Sequence, residues 1–503
     1  MAPDARRADF LSTVESAAAP FIYNGLMMHA VAGREIARSS RSEQHKAHAL
    51  CAATVLLGAS APPEREARWR AMVKGWLERD YVLPIGADAE LELAALARLD
   101  QLLGDHTVAG SPEPAGHRHF HNTDRSAHRG SGWAASLAMA SERISHYEFG
   151  NGENSRGYHT GSGWLSWWGD GHGQEHNSDA FWPTVDPYRI PGTTVSMLPL
   201  PDGWGGHFGK PRPQTRFVGG VTDGELGVAA QHLQGAGSTM RARKSWFFCD
   251  EAVVCLGSAI YSADGHAVVT TVDNRNLGEN GTVTLEIDGR EVRPDVEWES
   301  SAVPRWIHAR GVGGYVFPSG GDVRLELTER SGAWRDINSD RGSDEVHTRR
   351  CLTTHIDHGV DPDPAAYAYV LVPGADRERT TRWAATGMVD ILTHTDRAHA
   401  VRLPNDGAIA ANFWAAGCAG ELKATGRCSV LAREHADGTA TVVVSDPARE
   451  NRNLSIDWER PVAHVISAPG TVSSTTIGGN LRLTFRDLDD AAGAPQAITV
   501  ELA

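Results

Sequence analysis

The stretch His106–Phe120, HTVAGSPEPAGHRHF, divides this chain. Pro112 and Pro114 lack backbone donors and Gly110 and Gly116 loosen the backbone, so it punctuates the chain as a linker. Upstream lie Phe10–Ser39 (FLSTVESAAAPFIYNGLMMHAVAGREIARS), Ser42–Ser60 (SEQHKAHALCAATVLLGAS), Pro62–Asp80 (PPEREARWRAMVKGWLERD) and Ala87–Asp105 (ADAELELAALARLDQLLGD). In all four, apolar residues return every three or four positions, which predicts helices, and Ser, Pro, Gly or Asp bounds each one. Short loops between such helices suggest an array of αα-hairpins.

Downstream of the linker the period changes to two. AVVTTVDNR (267–275), GTVTLEIDG (281–289), DVRLELTER (322–330), AYAYVLVPG (366–374), LRLTFRDL (481–488) and QAITVELA (496–503) alternate apolar and polar residues, which predicts strands. Ser429–Asp446 reads as a hairpin with Asp437-Gly438 at its turn. Many such strands with Gly-rich turns indicate packed antiparallel sheets rather than a parallel sheet. A smaller β unit follows RWAATGMVDILTHTD (382–396). The organisation expected is therefore helical over 1–108, a large β domain over 109–390 and a small β domain over 391–503.

Bulk properties narrow the function. A chain of 503 residues has material for several cores. A net charge of -15 argues against a nucleic-acid binder, which needs broad positive surfaces. An anionic ligand would have to be taken by a local cluster of cations. No apolar run reaches the roughly 18 residues that span a bilayer, and Met1–Phe21 holds no apolar core of a secretory signal. The six cysteines fit no zinc spacing; Cys418 and Cys428 could bridge a hairpin or stand as two buried thiols.

Three clusters could carry chemistry. Arg34, Arg38 and Arg41 recur at helical spacing in Met27–His45. Arg34 and Arg38, at i and i+4, would share a helix face, suited to fork contacts with a carboxylate or sulfate or simply to solvent. Gly33 beside them leaves room for close approach. The second cluster, Ser141–Trp168, places Glu148, Asn151, Glu153 and Asn154 in one Gly-rich turn, where they could orient arginines or sugar hydroxyls or only shape the loop. Trp164, Trp167 and Trp168 could stack on sugars or fill a core. The third, His117, His119 and His121, would share one strand face as metal ligands or as surface histidines. The polar loop Asp170–Asp179 offers oxygen atoms for Ca²⁺ without an EF-hand pattern. No P-loop, dinucleotide fingerprint, GxSxG or HExxH is present.

In this order the pieces resemble polysaccharide lyase family 8, which includes hyaluronate, chondroitin AC and xanthan lyases. VAGREIARS (31–39) resembles the family's Gly-Arg-x-Ile-x-Arg helix. NTDRSAHRGSGWAASLAMASERISHYEFGNGEN (122–154) resembles its Met-Asp-Arg strand and Asn-x-Glu-Asn loop, with Thr123 where Met is usual. FWPTVDPYRIPGTTV (181–195), KSWFFCDEAVVCLGSAI (244–260), TTVDNR (270–275) and HIDHGVDPDPAAYAYVLVP (355–373) are similar to later segments.

The resemblance implies an α+β multidomain chain: the last helices of an incomplete α/α toroid, an antiparallel β super-sandwich and a small C-terminal β-sandwich domain. It implies β-elimination on a uronate-containing acidic polysaccharide, hyaluronan or chondroitin ahead of xanthan, leaving a 4,5-unsaturated uronate. Arg34 and Glu148 match catalytic positions; Arg38 and Asn151 match substrate-binding positions on the leaving-group side. Arg41 falls outside the matched pattern. No cofactor is required, and a structural Ca²⁺ would involve Glu175, Asn177 and Asp186. The protein would be an extracellular monomer whose partner is the polysaccharide, with no nucleic acid and no membrane. The family's Asn, His and Tyr precede its Gly-Arg helix, which here begins some thirty residues from Met1. An N-terminally truncated chain, inactive by itself, is therefore expected. The competing readings are a non-catalytic carbohydrate-binding remnant using the tryptophans, and a glycoside hydrolase using Glu148 and Glu153.

Overall fold

The structure, a computed structural model, describes residues 3–39, 41–169, 174–208, 210–385 and 387–503, leaving the side chains of 3–5, 41–44, 174–175 and 476 outside the description. Among the described residues four α-helices precede the linker: α1 (Pro3–Thr13), α2 (Arg41–Gly58), α3 (Pro63–Arg79) and α4 (Leu93–Gly104). Helix α3 begins with Pro63 and carries Glu64 and Glu66 in its first turn and Arg79 in its last, matching the helix dipole. Cys51 and Val55 of α2, Val73, Trp76 and Leu77 of α3, and Leu99 and Leu102 of α4 form one buried cluster. Each large apolar side chain buried there stabilises the fold by about 1.5–3 kcal/mol.

The first expected helix is not continuous. After α1 the chain makes a π turn (Val14–Ala18), a 3-10 turn (Ala19–Phe21), a small hairpin pairing Ile22–Tyr23 with Leu26–Met27, and two further 3-10 turns, His29–Val31 and Gly33–Ala37. Pro20 cannot donate into a helical ladder. Asn24 and Gly25, at φ +49° and +81°, form the two-residue turn of the hairpin. Periodicity of apolar residues did not reveal this, because short turns can keep the same face buried.

Polar pins tie these pieces together. His48 is fully buried between two carboxylates, with Nδ1 2.8 Å from Asp88 and Nε2 3.0 Å from Asp80. A Cβ on Gly25 would lie 2.6 Å from Asp80 Cβ, so the hairpin turn packs directly on this pin. Glu113, in the linker, accepts hydrogen bonds from Asn24 N, Arg79 and Trp76, and lies 3.6 Å from Arg129 of the β region. The linker thus fastens the helices to the sheets.

The β region opens with a four-stranded antiparallel sheet in chain order: Gly116–Phe120, Arg125–Gly130, Trp133–Met139 and Ser162–Gly169. A nine-stranded sheet among the described residues has Arg241–Phe248 and Val253–Tyr261 in its interior, and a five-stranded sheet holds the long pair Val323–Ala333 and Val346–Val360. Strand period explains the layering. Trp246 and Phe248 point into a core shared with Trp133, Leu325 and Tyr369, whereas Phe247 points to the opposite side. That side is closed by Val401, Leu431 and Val443 of the C-terminal sheets, so the nine-stranded sheet is buried on both faces.

The C-terminal unit is a sandwich whose layers share the strand Asn453–Ser467. Its first half pairs with Leu422–Ala424 and Asn480–Arg486, its second with Gln496–Leu502, and the register shifts between Trp458 and Pro461 where it bends. His399 docks this unit on the central sheet, with its two ring nitrogens each 2.8 Å from Ser245 Oγ and Ser258 Oγ. Cys418 and Cys428 are both free; Cys428 is buried and Cys418 exposed, which corrects the reading of two buried thiols.

Candidate functional site

Arg34 and Arg38 lie where the helical region meets the β region, but not on an α-helix. The 3-10 turn Gly33–Ala37 holds Arg34, and Arg38 follows as an extended capping residue. Gly33 sits at φ +61°, where a Cβ would fall 2.3 Å from Glu148 Oε2. Glycine therefore lets the carboxylate of the β loop approach the backbone of the turn. Glu148 Oε2 accepts from Arg34 N at 3.1 Å, while Oε1 accepts from Arg34 Nη1 at 2.5 Å.

Glu153 is the centre of the cluster. It is 3% exposed and accepts from Arg34 Nε at 2.8 Å and from Arg38 Nε at 2.9 Å. Arg38 also donates to Glu35 at 2.7 Å, and Lys46 of α2 pairs with Glu35. The cluster therefore alternates three cations with three carboxylates across two structural units. Burial alone would raise the Glu153 pKa, but Arg38 and Arg34 hold the carboxyl below its usual range. The Glu148 hydrogen bond, then Glu153, raise the Arg34 pKa against the effect of burial. Burial, aided by the positive charge of Arg34, lowers Lys46 to about 8 although Glu153 opposes it.

The turn bearing the two carboxylates is held rigidly. Asn151 and Asn154 take φ +53° and +67°, conformations their short side chains tolerate. Asn154 Nδ2 donates to Glu148 O at 2.8 Å and Asn154 N donates to Ile337 O at 2.8 Å. The buried Asn338 donates to Ala37 O at 3.2 Å, fastening the arginine turn to the same loop. Asn151 is exposed at the tip of the turn.

Two cavities open along the segment Gly33–Arg38. One, of about 590 Å³, is lined by Phe21, Met27, Gly33, Phe120, Tyr147 and Glu148. The other, of about 390 Å³, is lined by Arg38, His45, Lys46, Trp334, Asn338 and Arg341. A larger cavity of about 690 Å³ lies within the β region around Trp167, Arg275 and Arg310. There Arg275 is buried, bonded to Asp273 at 2.8 Å and stacked on Trp167, so the arrangement reads as packing. The junction at Arg34 is the better candidate because cations from one unit meet carboxylates from another beside open space.

The other sequence candidates separate. Trp164, Trp167 and Trp168 are all buried, so they fill cores and offer no face to a sugar. His117 packs on His128 and Phe248, whereas His119 bonds to Ser126 Oγ at 2.9 Å. Among the described residues no three His, Cys, Asp or Glu side chains come together to hold a metal. Asn177 accepts from Ser166 Oγ at 2.9 Å and Asp186 accepts from Tyr188 N at 2.9 Å. The Glu175 and Arg41 side chains and residues 170–173 lie outside the described residues. Tyr147 donates to Trp204 O at 2.6 Å, and burial raises its pKa.

The sequence reading left open whether Glu153 orients arginines, and the structure shows that it holds two; it assigned no role to Glu35, Lys46 or Asn338. Glu35 had a legible signal, since it stands three residues before Arg38. Asn338 had none, because its partner is 301 residues away.

Comparison with known proteins adds three family matches: polysaccharide lyase family 8, super-sandwich domain, over residues 115–384; its C-terminal β-sandwich domain over 390–455; and its N-terminal α-helical domain over 2–75. The chain is 44% identical over 503 residues to a hyaluronate lyase of Thermasporomyces composti, covering 99% of this chain and 64% of that protein. It is similar to the structure of Streptomyces coelicolor chondroitin AC lyase in complex with chondroitin sulphate, with a TM-score of 0.91 and 43% identity over 99% of this chain and 66% of that one. A Paenibacillus xanthan lyase structure gives a TM-score of 0.93 at 29% identity, covering 100% of this chain and 48% of that one. The chain thus spans between about half and two thirds of the length of these relatives. The match over residues 2–75 overturns the expected N-terminal truncation, since the family's helical domain is represented here. The ground for expecting a chain inactive by itself goes with it.

Proposed function

The chain belongs to polysaccharide lyase family 8, and from that premise we propose that it cleaves a uronate-containing acidic polysaccharide by β-elimination. Hyaluronan and chondroitin are the favoured substrates, in keeping with the names of the 44% and 43% identical relatives. The reaction removes the proton at C5 of the uronate, breaks the bond from C4 to the leaving oxygen and forms a C4–C5 double bond. The C5 proton lies beside a carboxylate and is too weakly acidic until that charge is offset. A base takes the proton and the leaving oxygen gains one.

The observation that carries the reading is the guanidinium of Arg34 held by Glu148 and Glu153 at the junction of helices and sheets. In this reading the two carboxylates fix Arg34 so that its remaining N–H groups face the cleft. A fixed cation stabilises the anionic form of a neighbouring acid–base group, such as the phenol that serves the family, whose ordinary pKa is about 10. Arg38, oriented by Glu35 and Glu153, and Asn151 at the exposed tip are assigned to the leaving-group side. We also read α1 to α4 as part of the family's α/α toroid and place the protein outside the cell. The helices described are none of them long and apolar enough to cross a membrane.

The test is ultraviolet absorbance of the unsaturated uronate during incubation with hyaluronan, chondroitin sulfate or xanthan. Appearance of the band with either glycosaminoglycan, and its loss in Arg34→Ala, supports the reading. Saturated reducing ends would mark a hydrolase, and saturable binding without product would mark a carbohydrate-binding protein.

A further inference from the structure

Phe208 stands on the loop that lies against the clamp turn, and its position is costly. It is 62% exposed and its backbone sits at φ +59°, a left-handed conformation that bulky residues rarely adopt. An exposed apolar residue is ordinary by itself. One held in a disfavoured backbone conformation beside a candidate site points to a use for the side chain.

The loop is anchored at four points to the segment 146–155. Gly203 N donates to Ser155 O at 2.7 Å, Tyr147 Oη to Trp204 O at 2.6 Å, Phe208 N to Phe149 O at 2.6 Å and His146 N to Pro211 O at 3.0 Å. The Phe208 ring covers Gly150, where a Cβ would meet it at 2.8 Å. His207 stacks on Phe149 with centroids 4.8 Å apart, and the exposed Lys210 follows two residues after Phe208. An aromatic face is thereby presented next to the turn that carries Glu148, Asn151 and Glu153.

We infer that Phe208 is a stacking platform for one pyranose ring of the bound polysaccharide. The inference rests on the polysaccharide reading given above and extends it to Phe208. The C–H face of a pyranose is apolar and fits an aromatic ring, while its equatorial hydroxyls remain in water. The sugar that stacks here lies beyond the clamp, so Phe208 acts as a binding residue and touches no reacting atom.

The test measures calorimetric binding of hyaluronan and chondroitin sulfate decasaccharides to the full chain, with the melting temperature recorded alongside. Phe208→Gly should raise Kd by about 2- to 10-fold, the range expected for loss of one aromatic contact, and leave Tm unchanged or higher, because glycine suits the left-handed backbone. Phe208→Trp should restore the affinity. Wild-type Kd in Phe208→Gly overturns the inference and leaves the lyase reading standing. A fall in affinity that follows a fall in Tm, without rescue by tryptophan, marks a structural role and overturns it too. Failure of the wild-type chain to bind either sugar overturns both.

Discussion

Arg34 and Glu148, 114 residues apart in sequence, meet through a main-chain and a side-chain hydrogen bond. The glutamate thus fixes both the turn and the guanidinium it carries, and Glu153 fixes the other edge. This double hold gives the site its rigidity, since a guanidinium bound in fork geometry has little rotational freedom left.

Removing the cation should suppress turnover selectively. Arg34→Ala is expected to lower kcat on hyaluronan or chondroitin sulfate by about 10²- to 10³-fold, the range for loss of a preorganised electrostatic contact. Lysine at the same position keeps charge but not fork geometry and should recover only part of the loss. Initial rates followed by product absorbance, with circular dichroism to verify folding, decide the matter; an active Arg34→Ala rejects the assignment.

Gly33→Ala should damage the site without touching a charged group. The new Cβ would collide with Glu148 Oε2 and the residue would have to hold φ +61°. A stability cost of about 1–2 kcal/mol is expected from the backbone, with a drop in activity that exceeds it. Denaturant midpoints and kcat measured on one preparation separate the two.

Glu153→Gln leaves two arginines sharing one fewer carboxylate. Because Glu153 is buried while both arginines reach solvent, the loss should be about 2 kcal/mol rather than the larger figure for a fully buried pair. The folded-state pKa of Glu153 is depressed, so its contribution is present above the ordinary carboxyl value of about 4.3 and lost as pH falls through the folded value. Wild type should therefore lose stability in acid more steeply than Glu153→Gln. Parallel slopes in urea titrations between pH 3 and 6 would contradict this.

His48 should act in the opposite direction. Burial alone would lower its pKa, but the bonds and charges of Asp80 and Asp88 hold it above the usual histidine value. Its contribution is then fully present below about pH 6.5 and lost as pH rises through the folded value. His48→Gln should flatten the decline on the alkaline side. His128 and His146, lowered to about 4 by burial, work the other way and remove stability as pH falls from about 6.5 toward 4. Unfolding midpoints of wild type and His48→Gln from pH 4 to 9 test both signs.

His399→Ala should loosen the C-terminal sandwich. It leaves the hydroxyls of Ser245 and Ser258 without their imidazole partner in a buried interface. The cost is about 1–3 kcal/mol for a buried group left unsatisfied; Asn412, which also donates to Ser245, and Thr395 O, which accepts from Ser258, hold it to the lower end. Calorimetry should show the C-terminal transition moving to lower temperature, and a single unshifted transition would refute the docking role.

The sequence by itself determined the change of architecture at His106–Phe120, the strands read from alternation such as Val323–Arg330, and the pair of segments that hold Arg34 and Glu148. Those features are written in local periodicity and in motifs of contiguous residues, because backbone hydrogen bonding and side-chain direction repeat over short distances. Tertiary structure decided the rest. It replaced the expected arginine helix with a 3-10 turn, made Glu153 the shared partner of two arginines, buried Trp164, Trp167 and Trp168, and set His117 against His128. The Glu153 pairing joins segments more than a hundred residues apart, and burial and charge pairing are properties of how segments pack together rather than of any one stretch of chain.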